Sequence, residues 1–204
     1  MKLYGLPGTC SLTVHIALNW VGQPFEFEAV TRESIKQPPY LKLNPVGSVP
    51  VLVDGEIVLT QNVSILEYLS EKFPAARLFG EPSLLGRAEA RRWLAFCNPD
   101  LHRTFHFLFA AQKYLDDPVA QESLKKSIKH RVLELLKVVD DHLKNREWLA
   151  NGKSVADAYL YVITLWCKQK DVDISAFSNL QAWTHRMAAD PGVKAAVKAE
   201  GLQP

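Results

Sequence analysis

The stretch VPVLVDGEIVLTQN (49–62) decides how the first part of this chain folds. Two apolar runs, 49–53 and 57–59, flank Asp54-Gly55, a dipeptide suited to a tight turn whose central residues need positive φ. The pattern predicts a β-hairpin. Pro50 cannot donate to a sheet ladder and so marks a strand start or edge, and the base rate favours a trans bond before it. A cis bond there would turn the main-chain groups of Val49 outward, where a bound peptide can pair with them as an added strand. Downstream, 62–72 reads as a helix with Ile65, Leu66 and Leu69 on its apolar side. Upstream, 2–4 reads as a strand, LPG (6–8) as a loop, and 11–21 as a helix carrying Leu12, Ile16, Leu18 and Trp20. A second strand follows at 25–30. The proline-punctuated 36–47 is loop, with one helical turn near Tyr40. The order is β-α-β, a loop, then β-β-α.

Periodicity breaks at 73–82, where Pro74, Gly80 and Pro82 suggest a linker between domains 1–76 and 83–204. No strand signal follows it. One long helix is expected over 84–109, kinked at Pro99. A second is expected through Leu124, Ile128, Val132, Leu136 and Leu143. The stretch 154–168 is apolar on nearly every side and reads as a buried central helix, with shorter helices at 176–189 and 191–199. Ser154 and Asp157 have capping-box spacing at its start, a cap worth about 1 kcal/mol. The fold class is therefore α/β followed by all-α.

A net charge of +2 advertises neither nucleic acid nor a membrane surface. The chain begins on strand-like KLY, so no signal peptide is expected, and no apolar run is long enough to span a bilayer. Three cysteines, an odd number, fit a reducing, cytoplasmic setting better than a disulfide framework.

Cys10 lies where a loop meets a helix, and helix dipole and free N–H groups lower a thiol's pKa there. Ser11 beside it is a natural cap. Local chemistry leaves open a plain buried cysteine followed by a serine cap. Cys97 and Cys167 fall within apolar helical patterns and read as packing residues. Asn62 suits an N-cap, and a helix N-terminus suits a carboxylate. His102 and His106 share a helical face as a metal pair would, but no third ligand is near, so no metal is expected. His15 reads as structural, satisfied within its own helix.

In combination these pieces resemble bacterial beta-class glutathione transferases. KLYGLPGTCSLTVHIALNW (2–20) is similar to that family's LYYxPGxCSLxxHIAL, and LKLNPVGSVPVLVDGEIVLTQNVSILEYL (41–69) to its INPKGQVPxLxxDxGxxLTEGxAIxxYL. DLHRTFHFLF (100–109) and SVADAYLYVITLW (154–166) look like its ELHKxFxPLF and TVADAYLFTLxxW. The resemblance covers nearly the whole chain. It implies a thioredoxin-like N-terminal domain, an all-helical C-terminal domain, and a homodimer binding one glutathione per subunit, glutathione being co-substrate with no further cofactor. It places Cys10 and Ser11 at the glutathione sulfur, with His102 reaching them from the second domain. Val49 before Pro50 meets the cysteinyl part, Gln61 and Asn62 the γ-glutamyl end, and Arg103 stands beside His102.

The chain also departs from the pattern. Gln61 replaces a glutamate that would face the α-ammonium, Val46 replaces the lysine of NPKG, and Phe107 replaces a proline. Phe105, His106 and Phe109 suggest an aromatic acceptor pocket. The expected function is conjugation of glutathione to small hydrophobic electrophiles, or glutathione-dependent disulfide and peroxide reduction through Cys10. A non-catalytic ligand carrier or interaction module on the same fold is the alternative, since a fold does not guarantee an activity.

Overall fold

The computed structural model describes residues 1–202. Strands β1 (Lys2–Gly5), β2 (Glu26–Ala29), β3 (Val51–Asp54) and β4 (Ile57–Thr60) form one sheet in the order β2-β1-β3-β4. β1 and β2 are parallel, and the other two pairings are antiparallel. A parallel pair needs a crossover, which α1 (Ser11–Val21) supplies. Gly22 ends α1 in the left-handed region (φ 71°), returning its N–H to Leu18 O at 3.2 Å. In the hairpin Leu52 pairs with Leu59, and Gly55 takes φ 61° at the turn. α2 is the single turn Pro38–Leu41, and α3 spans Asn62–Lys72, as its periodicity predicts. This is a thioredoxin-like half.

The rest is helical: α4 (Leu84–Ala95), a π-helical turn (Phe96–His102), α5 (Arg103–Ala110), α6 (Pro118–Leu143), α7 (Val155–Gln169), α8 (Ser178–Ala189) and α9 (Pro191–Ala199). The one kinked helix expected over 84–109 is thus three pieces. Pro99 has no N–H for an α-ladder, and the wider π turn absorbs the defect. Positions 98 and 102, four residues apart, lie on one face of it.

α7 is buried along most of its length. The capping box is present at its start, but Asp157 does more than cap. Its carboxylate accepts the N–H of Ser154 (2.9 Å) and Leu149 (3.1 Å), the Ser154 hydroxyl (3.0 Å) and the Trp183 indole (3.0 Å). Burial raises its pKa against these hydrogen bonds.

α1 packs on α3 to one side and on α7 and α9 to the other, so one hydrophobic core runs through both halves. His15 is buried in this seam, stacked on Phe27 at 4.3 Å. It is structural, but it is not satisfied locally. Its Nδ1 lies 2.9 Å from Glu200 Oε1, just beyond the end of α9. Among the described residues no helix is long and apolar enough to cross a membrane.

Candidate active site

The loop 6–10 is braced from within and from the helical half. Leu6 O accepts the Thr9 N–H at 3.1 Å and its hydroxyl at 2.7 Å. Gly8, at φ 74°, donates its N–H to Glu200 Oε2 at 2.9 Å, and its carbonyl accepts the Trp166 indole N–H at 2.8 Å. Ser11 serves the loop as well. Its side chain is fully buried, and its Oγ accepts the Leu6 N–H at 3.2 Å and lies 3.0 Å from Thr9 Oγ1. One step along the helix from Cys10 turns it into the protein. Its hydroxyl thus braces the loop, where the family position had placed it at a bound sulfur.

Cys10 lies at the cleft floor, partly exposed, with its Sγ 3.7 Å from Val49 O as a hydrogen-bond donor. Its carbonyl accepts the Asn62 amide N–H at 2.9 Å. Burial pushes its thiol up to about 12, outweighing the Asn62 amide and the backbone N–H groups of Cys10 and Ser11, which act the other way. Desolvation thus opposes the lowering expected at this helix start.

The Val49-Pro50 bond is cis, against the base rate, and both residues line the cleft. Gln61 also lines it, in the positive-φ region (69°). Asn62 is the first residue of α3 rather than its N-cap. Its amide is turned to Cys10, and its Oδ1 is buried without a hydrogen-bond partner among the described residues. Lys36, which the sequence reading passed over, lines the same wall and donates to Gly47 O (2.7 Å) and Val46 O (3.3 Å). A cation thus stands beside the site of the missing lysine at 46.

The opposite wall comes from the π turn and α7. His102 lines the cleft, its Nδ1 2.7 Å from Tyr159 Oη, and Tyr159 donates to Asn98 Oδ1 at 2.9 Å. Burial lowers the His102 pKa to about 4, so it is neutral near pH 7. Phe109 and Trp166 provide aromatic surface, their centroids 5.5 Å apart. Of the other residues expected here, none reaches the cleft. Arg103 is exposed and lines neither lobe. Phe105 is fully buried against Trp166 (5.7 Å), a core residue rather than an acceptor contact. His106 turns to Tyr114 Oη at 2.9 Å. Asn98, Tyr159 and Trp166 were missed because single-sequence periodicity marks them only as helix positions.

The cleft has two lobes meeting at Cys10 and His102. One, of about 750 Å³, runs past Val49, Gln61 and Lys36. The other, of about 500 Å³, lies against Pro7, Phe109, Leu165 and Trp166. Among the described residues no carboxylate side chain lines either lobe, whereas Arg32, Lys36, Lys113 and Lys168 do. Such a cleft favours an anion. Also among the described residues, no group of three or more His, Cys, Asp or Glu side chains is placed to hold a metal.

Residues 3–81 match the N-terminal domain of glutathione S-transferases, and 93–191 match the family's C-terminal domain. Glutathione S-transferase GST-4.5 of Xanthomonas campestris pv. campestris is 44% identical over 99% of this chain and 100% of its own. The solved glutathione-S-transferase of Xylella fastidiosa superposes with a TM-score of 0.96 at 46% identity, covering 99% of each chain. A sphingomonad glutathione S-transferase solved with glutathione gives 0.87 at 36%, covering 100% of each. The chain belongs to the glutathione S-transferase family, on its bacterial beta-class branch.

Proposed function

We propose that the larger lobe binds glutathione and that its sulfur is conjugated to a small apolar electrophile seated against Phe109 and Trp166. The observation that carries this is the set of peptide-recognising groups converging on Cys10 in a cleft lined by cations. Glutathione bears two carboxylates and one ammonium. The Val49 main chain pairs with its cysteinyl unit as an added strand would. The unpartnered Asn62 Oδ1 and the Gln61 carbonyl suit the ammonium, the first amides of α3 suit the α-carboxylate, and Lys36 suits the glycyl carboxylate. The sulfur then lies between Cys10 and His102. Because burial keeps Cys10 protonated, glutathione supplies the nucleophile: its sulfur pair forms the C–S bond, the leaving group departs with its own pair, and the thiol proton passes to solvent.

The position of Cys10 at the cleft floor supports a second reading, glutathione-dependent reduction. The Cys10 thiol, giving up its proton to solvent as it attacks a glutathionyl disulfide, forms a mixed disulfide and expels a thiolate, and a second glutathione thiol releases glutathione disulfide and restores Cys10. Retention on immobilised glutathione, followed by kinetics of Cys10→Ala, separates the readings. Conjugation surviving within a few-fold supports the first reading. Loss of both conjugation and disulfide reduction, with a Cys10–glutathione adduct in the parent by intact mass, supports the second. A chain that ignores the resin and forms no adduct is a carrier.

The same reading places the protein in the cytoplasm, with domains 1–76 and 83–204 and no nucleic-acid partner. It pairs two copies through α3 and the start of α4, where Leu84 and Leu85 are 88% and 76% exposed.

A further inference from the structure

We propose that Tyr159 is a positioning residue that holds His102 in its Nδ1–H tautomer, so that the other ring nitrogen, Nε2, accepts the hydrogen bond of the ligand's thiol. The inference rests on the glutathione reading for the identity of that thiol, but the tautomer belongs to the protein alone.

A phenol has one proton to give. Tyr159 Oη has two partners on the π turn, Asn98 Oδ1 at 2.9 Å and His102 Nδ1 at 2.7 Å. An amide oxygen only accepts, so the phenol proton goes to Asn98. His102 Nδ1 must then carry the proton shared with Oη, and a neutral imidazole with Nδ1–H has a bare lone pair on Nε2. Nε2 has no hydrogen-bond partner among the described residues, and His102 lines both lobes. The ring is held as well as oriented: Trp166 is tilted against it with centroids 4.8 Å apart. Tyr159 is fully buried on α7, whose start is fixed through Asp157, so its hydroxyl is an immobile reference.

Helical spacing makes the arrangement available: Asn98 and His102 are four residues apart on the turn around Pro99, so both reach the same hydroxyl from one face. Tyr159, Asn98 and His102 stay neutral: Nε2 accepts the thiol's hydrogen bond, and the thiol proton passes on to solvent as the sulfur bonds to the electrophile.

The test is long-range ¹H–¹⁵N correlation of histidine-labelled protein, which separates the two tautomers by their nitrogen shifts, together with kinetics. The parent protein is expected to show His102 as Nδ1–H. Tyr159→Phe removes the hydroxyl while keeping the ring, and should shift His102 toward Nε2–H. With glutathione it should lower kcat roughly 10- to 100-fold and leave the glutathione KM within about twofold. Asn98→Leu gives a second route: with no oxygen to take it, the phenol proton turns to Nδ1 and the tautomer inverts to Nε2–H. An Nε2–H ring in the parent, or an unchanged tautomer in both variants, overturns the proposal. A protein that fails to retain glutathione yet shows the predicted tautomers would sink the proposed function and leave the assignment of Tyr159 standing.

Discussion

The two walls of the cleft recognise in different ways. On the thioredoxin-like side the groups offered are mostly main chain: the Val49 carbonyl, the first amides of α3 and the braced peptides of the loop 6–10. On the helical side they are side chains: His102, Tyr159 and Asn98 in one hydrogen-bonded chain, with Phe109 and Trp166 as apolar surface. A main-chain wall tolerates sequence change as long as the backbone path holds. A side-chain wall can be altered one residue at a time. In the proposed function the constant ligand, glutathione, is read by the first and the variable acceptor by the second.

The largest effect is expected where the side-chain wall is anchored. Asp157→Ala leaves the N–H groups of Leu149 and Ser154 and the Trp183 indole without their acceptor in a buried place. It should lower stability by roughly 3 kcal/mol or more in denaturant melts, against the ~1 kcal/mol of a lone cap. A loss near 1 kcal/mol would mean the helical wall does not depend on this hub.

Acid should tell the walls apart next. Folded His102 stays neutral down to about pH 4, whereas an unfolded histidine takes its proton near its model value of 6.5. Between those values the unfolded state binds more protons, so stability falls as pH drops from 6.5 toward 4. His102→Asn should flatten that part of the curve, and an unchanged slope would place the acid sensitivity elsewhere. On the main-chain wall, Lys36→Ala should weaken glutathione about tenfold by calorimetry with kcat little changed. The smallest effect should come from Val49→Ala, within about twofold in glutathione affinity, because its main chain is the contact. A tenfold loss there would erase the distinction between the walls.

Most of the fold was legible in the sequence because local signals agreed with it. The Asp54-Gly55 hairpin, the bounds of α3 and the Ser154–Asp157 cap each follow from spacing alone. The π turn was not, since one wide revolution scarcely disturbs a helical apolar pattern. The partner of His15 was hidden for another reason: Glu200 lies 185 residues away, and no local pattern points to it. Within the site, family position located Cys10 and His102 but could not say which way their neighbours face. Ser11 and Phe105 turn inward and Arg103 outward because a single helical step decides orientation.

The Gly8 peptide unit lies in the first half, yet its N–H is held by Glu200 and its C=O by Trp166, both from the second. The shape of the segment leading to Cys10 is therefore jointly owned. A chimera that pairs this first half with a foreign helical half lacking that carboxylate and that indole would inherit the cysteine but not its setting. In modular terms, the boundary at which the family profiles divide the chain is not the boundary at which its reactive centre can be cut.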